Sequence, residues 1–130
     1  MTRYLISFDD GAMNFPDEDL PDVARAAREV VQEAVSAGVW VFSAGLQSQR
    51  ASIVATDGMV TDGPYPETKE VIGGFAVVDV PSREEALAWA AKIAVACRCA
   101  QEVRELVPEP PELTAILRQG DSQRRRPDDV

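Results

Sequence analysis

The chain has 130 residues, with 22 acidic against 13 basic side chains, a net charge of −9 and no histidine. That length supports one domain with a real core but not two. The acidity argues against a nucleic-acid partner, because affinity for a phosphate backbone draws on clustered Lys and Arg. Without histidine, Ser-His-Asp and Cys-His catalysis are excluded.

Residues 3–8 read as a first strand, rich in β-branched and aromatic side chains. This start, followed at once by Asp9 and Asp10, is a strand and not a secretory leader. No apolar run reaches the ~20 residues that cross a bilayer. The expected location is cytoplasmic, with no membrane contact. Residues 9–19 form an acidic loop, whose Asp9, Asp10, Asp17, Glu18 and Asp19, with Asp22 just beyond it, lack the alternating ligands and central glycine of a calcium site. Acids at this place complement the positive end of a following helix.

That helix is expected over 20–37, with Asp19 as N-cap, Pro21 in the first turn and Gly38 at its end. Val23, Ala26, Ala27, Val30, Val31, Ala34 and Val35 recur at helical spacing on one face. This stripe of small side chains would let the helix lie close on a sheet. A second strand follows over 39–46, with Gly45 a bulge or close-approach point. The polar run Gln47-Ser48-Gln49-Arg50 comes next. Asp57-Gly58, between Ile53-Val54 and Met59-Val60, signals a two-residue hairpin.

A third main strand covers 71–80 and stops at Pro81. Ser82 and Glu85 form a capping box at the head of a second helix, whose buried face is Ala86, Leu87, Ala90, Ile93 and Ala94. Cys97 and Cys99 read as small, partly buried thiols at a helix-to-strand junction, not as a metal site, which needs more ligands. No cofactor and no metal are expected. Residues 100–107 make the last main strand. The order β-α-β, small hairpin, β-α-β is the ferredoxin-like α+β arrangement, with an antiparallel sheet and two helices on one face. Residues 1–107 are thus the domain. Residues 108–130 are a Pro- and Arg-rich extension, partly disordered, in which Leu113, Ile116 and Leu117 support one short helix.

Between the hairpin and the third strand stands a turn-rich segment with Asp62-Gly63-Pro64-Tyr65, then Glu67-Thr68-Lys69-Glu70, then Gly73-Gly74-Phe75. Pro64 and Pro66 bar a helix through its first half, and Gly63 and Gly58 are expected at positive φ. This segment resembles the signature of the YCII-related proteins, in particular the DGPF group, and the resemblance extends over roughly residues 1–106. It implies a ferredoxin-like fold, paired into a dimeric α/β barrel. Some members of the wider family carry a His-Asp pair proposed as an acid-base dyad; here Val23 stands roughly where that histidine would fall. Members of the group are often found beside genes for alternative sigma factors.

The signature supplies the candidate ligand-binding residues: Asp62, Tyr65, Glu67, Lys69, Gly73 and Gly74, with Gln47 at the end of the second strand. Each has a plainer use. Asp62 can bond its own turn, Tyr65 can pack its ring, and Glu67 and Lys69 can form a solvated face. Gly73 and Gly74 suit either ligand approach or tight sheet packing. Proton transfer would rest on Asp62 or Glu67, with a pKa raised by burial. The leading expectation is a dimeric small-molecule-binding or accessory domain. The alternatives are an enzyme using carboxylate-assisted proton transfer on a small, possibly cyclic substrate, and a regulatory protein acting through protein contacts without touching DNA.

The strands also predict a homodimer. A half-exposed sheet should alternate apolar with polar residues, yet here both faces are apolar. Tyr4, Ile6 and Phe8 oppose Leu5; Trp40 and Phe42 oppose Val39 and Val41; Phe75 and Val77 oppose Ile72, Ala76 and Val78. Two helices cover one face, and a second copy would cover the other.

Overall fold

In the computed structural model, which describes residues 1–47, 51–63 and 71–124, the main sheet holds strands β1 (Thr2–Asp9), β2 (Trp40–Gly45), β5 (Ile72–Val80) and β6 (Glu102–Glu105) in the order β2-β5-β1-β6. Every neighbouring pair in it is antiparallel. Helix α1 (Leu20–Ser36) joins β1 to β2, and α2 (Arg83–Cys97) joins β5 to β6. Each helix thus carries the chain over one strand of the sheet, as the ferredoxin-like fold requires. A separate two-stranded ribbon is made by β3 (Ser52–Val54) and β4 (Val60–Asp62), and α3 (Pro111–Arg124) follows β6. No helix among the described residues is long and apolar enough to cross a membrane.

The core lies between the helices and one face of the sheet. Tyr4, Ile6, Val78, Val80, Ala86 and Ala90 are buried together, with Trp40, Trp89, Ile93 and Val103 packed around them. Period-two alternation along β5 puts Ala76, Val78 and Val80 on this face. In β2 the alternation is broken. Trp40 pairs with Val78 and Phe42 with Val77, so Val41 is an extra residue between them. A strand with one inserted residue switches the faces of everything beyond it. Trp40 therefore faces the core while Phe42 lies on the open face, its ring 5.9 Å from that of Phe75. This corrects the placement of Trp40 and Phe42 on a common face, since unbroken alternation fails at a bulge.

The ends of the elements show which local signals operate. Ser82 Oγ accepts from the Glu85 N–H at 3.2 Å, as its capping role requires. Asp19 caps differently from expectation. It sits in a 3-10 turn, Asp17–Asp19, makes no side-chain bond to the start of α1, and instead accepts from Arg98 Nη1 at 2.8 Å. The guanidinium of Arg98 takes the carboxylate across the fold, forming one charge-assisted bond in place of another, the cap to the helix N–H groups. Arg98 itself stands in the left-handed region at φ 58°, closing α2 where glycine is usual.

Five residues, 55–59, join β3 to β4, and the turn inside the Ala55–Met59 bond has three, not two. The Ala55 carbonyl accepts from the Gly58 N–H, the Met59 carbonyl accepts from the Ala55 N–H, and Gly58 has φ +88°. That is a turn closed by a left-handed glycine. Gly63, expected at positive φ, does not have it. There the constraint is space, because a Cβ would lie 3.0 Å from Ile53 Cγ1. The last strand is also shorter than 100–107, with Cys99 still tied to the helix through its N–H to the Ala94 carbonyl. The helix of the extension runs over 14 residues, longer than the three aliphatics suggested.

Candidate functional site

Between the helical layer and the sheet lies a cavity of 210 Å³. Its floor is Ile6 and Phe8 of β1 and Ala76 of β5; its roof is Ala27, Val30 and Val31 of α1 with Ile93, Ala96 and Cys97 of α2. Trp40 and Ser43 of β2 close one side and Gln101 another. The small residues on the facing elements explain the space. Ala27, Ala76 and Ala96 bring little bulk to a wall that also holds the larger Trp40, Phe8 and Ile93. The Ala/Val stripe of α1, which by itself would favour close approach, here leaves room. The cavity reaches the surface along the edge strand, where Ser43 and Gly45 are exposed.

Of the signature glycines, Gly74 bears on this floor through Phe8. A Cβ on Gly74 would lie 2.5 Å from Cζ of Phe8, so the bare backbone lets the Phe8 ring lie across β5. At Gly73 the constraint is backbone: a Cβ would sit 2.8 Å from the Asp10 Cα. There β1 and β5 lose register between Phe8 and Asp9, and the Asp10 N–H donates to the Val71 carbonyl at 2.6 Å. Gly73 also accepts through its carbonyl from the Leu46 N–H at 2.9 Å, tying the end of β2 to the signature.

Among the described residues the lining is apolar apart from Ser43, Cys97, Gln101 and the indole N–H of Trp40, and it includes no Asp, Glu, Lys or Arg. Burial pushes the Cys97 thiol above its ordinary pKa, and the neighbouring Cys99 adds to the rise. Burial also raises Cys99, while a hydrogen bond from Gln101 pulls it partly back. Both cysteines are free thiols, and at neutral pH the protonated form prevails, which makes neither a ready nucleophile. The Gln101 amide nitrogen donates to the Cys99 carbonyl at 3.3 Å and lies 3.5 Å from Cys99 Sγ. No group of three or more metal-ligating side chains occurs among the described residues.

Of the residues singled out in the sequence, Asp62 is exposed on β4 and Gln47 is exposed two residues beyond Gly45. Neither lines the cavity. Gly73 and Gly74 meet protein atoms, not open space. Tyr65, Glu67, Lys69 and Arg50 lie outside the described residues. Val23 is buried at 2% exposure on α1 and also stands apart from the lining. Sequence reasoning missed the wall residues Trp40, Ser43, Cys97 and Gln101. The available signal was the excess of alanine on both helices, which can mean either tight packing or a void.

The family model described as the YCII-related domain matches residues 18–110. No curated protein matches the chain in sequence. Among solved structures, the chain is similar to the 5-chloro-2-hydroxyhydroquinone dehydrochlorinase of Burkholderia phenoliruptrix, solved in complex with 2,5-dihydroxybenzoquinone. The identity is 12%, the TM-score 0.48, and the match covers 84% of this chain and 96% of the other.

Proposed function

The chain belongs to the YCII-related family, and on that premise we propose that it works as a dimeric small-molecule-binding or accessory domain of the cytoplasm. The observation that carries this reading is the apolar cavity of 210 Å³ between sheet and helices, with a few polar groups in its wall. Apolar concavities with a small number of placed polar side chains are the usual form of a small-ligand site. Its floor depends on Gly74 of the signature, which links the segment that marks the family to the space a ligand would fill.

The dimer is supported by the sheet face that no helix covers. Leu5, Phe42, Phe75 and Val77 share it, by their pairing across β1, β5 and β2, and Phe42 is 57% exposed. On the same face Asp79 Oδ2 lies 3.9 Å from Arg3 Nε, while its Oδ1 is buried with no hydrogen-bond partner among the described residues. A buried carboxylate oxygen without a donor is costly, and a second copy laid on this face would bring donors as well as apolar cover. Two sheets packed in this way form the dimeric α/β barrel.

Native mass spectrometry of the purified full chain, alone and after incubation with metabolite pools, tests both parts. Twice the chain mass with a retained small molecule supports the reading. A bare monomer that takes up nothing from any pool rejects it.

A further inference from the structure

We infer that the cavity admits only an uncharged molecule, about one ring or a similarly compact branched chain in size, bearing a single hydroxyl-type group. This rests on the reading of the cavity as a ligand site and names its ligand class. Size follows from volume. An apolar cavity of about 150 Å³ holds benzene, and 210 Å³ leaves room for one substituent. Neutrality follows from the wall, in which no acidic or basic side chain stands among the described residues. An ion moved from water into such a space loses its hydration with no countercharge to replace it.

The hydroxyl follows from the hydrogen-bonding groups of the described wall, in which the Trp40 indole N–H is one donor. Gln101 spends its amide nitrogen on Cys99, which leaves its carbonyl oxygen uncommitted among the described residues, an acceptor for one O–H donor. Cys97, held protonated by burial, offers only a weak S–H donor. Ser43, at the exposed rim, can donate or accept in either direction. That set satisfies one hydroxyl. It offers nothing bidentate for a carboxylate and no carboxylate for an ammonium.

The test uses four probes of one shape, toluene, benzyl alcohol, benzoate and benzylamine, titrated into the full chain. The indole N–H resonances of Trp40, which lines the cavity, and Trp89, which does not, are followed by NMR. The expected result is that benzyl alcohol binds tightest, toluene next, and both ions about 100-fold or more weaker, with the shift confined to Trp40. Ala27→Leu, a milder filling than Ala27→Trp and one whose folding is checked by circular dichroism, should reduce binding of the neutral probes at least tenfold. Benzoate or benzylamine shifting Trp40 within threefold of the benzyl alcohol concentration would overturn the inference while leaving the cavity a binding site. If no probe shifts Trp40, or if Ala27→Leu leaves binding unchanged, the cavity is not a ligand site and the inference falls with that reading.

Discussion

The Phe8 ring occupies the volume that a side chain at Gly74 would need, with Cζ 2.5 Å and Cε1 2.7 Å from the position of a Cβ there. Both residues belong to the helix-facing side of the sheet, paired across β1 and β5. Gly73, one residue earlier, is pressed by the Asp10 backbone instead. A ring can rotate away, whereas backbone in a paired strand cannot. Gly73→Ala should therefore cost about 2–3 kcal/mol and Gly74→Ala about 1 kcal/mol, in the range of overpacking penalties. Gly74→Ala should in addition weaken benzyl alcohol binding, because the displaced ring enters the cavity. Urea denaturation and probe titration check both, and a larger stability loss for Gly74→Ala would contradict the distinction.

Filling the cavity should stabilise the protein. Ala27→Leu adds three carbon atoms to an apolar void, and voids cost about 24 cal/mol per Å³. Allowing for some strain, a gain of about 1 kcal/mol is expected, read as a higher urea midpoint with unchanged slope. A lower midpoint would mean that the space is already closed in solution.

Phe42→Glu should split the dimer without unfolding the chain. Phe42 is 57% exposed in the single chain, so the domain itself loses little, but a charge at this point would be buried in a sheet-to-sheet interface. Sedimentation velocity at micromolar concentration should show the variant as monomer and the unmodified chain as dimer. Equal sedimentation of the two would remove this face from the interface.

Stability should fall on the alkaline side. Cys97 and Cys99 are both raised, chiefly by burial, and Tyr4 is raised by burial and then by Glu105, whose Oε1 accepts from its hydroxyl at 3.3 Å. A group whose folded pKa exceeds its unfolded value contributes stability that is fully present below the unfolded pKa. That contribution is lost as pH rises through the folded value. The thiol effect should thus begin above about pH 8.5 and the tyrosine effect above about pH 10. Denaturation midpoints from pH 7 to 10.5 should decline in that window, and Cys97→Ala should shrink the first part of the decline. An unchanged profile in the variant would assign the decline elsewhere.

Removing residues 108–130 should leave a cooperatively folding domain. The buried core residues all lie between Tyr4 and Ala96, while Leu113, Ile116 and Leu117 of α3 are exposed. A truncated chain that unfolds without a sharp transition would make α3 part of the domain.

Much of the fold was legible because it is written in local terms. The strand and helix order follows from periodicity, the start of α2 from Ser82, and the ferredoxin-like topology from the succession of elements. Two departures share one cause. The bulge at Val41 and the recruitment of Asp19 by Arg98, 79 residues away, are decided by partners distant in sequence. Neither leaves a local mark, and the first separates the two aromatics of β2, leaving only Trp40 toward the core.

The site divides along the same line. Sequence alone determined that catalysis could not use histidine, that the chain is acidic, and that Gly73-Gly74 stands where side chains are not tolerated. It did not determine what those glycines accommodate, because a missing Cβ is equally suited to a ligand and to a neighbouring strand. Only the tertiary structure placed the Phe8 ring over Gly74 and the Asp10 backbone against Gly73. Likewise an alanine-rich helix face is neutral between contact and void. Only the packing of both helices on the sheet, with Trp40, Phe8 and Ile93 in the wall, shows a void. A cavity is a property of several elements at once, so no single stretch of the chain encodes it.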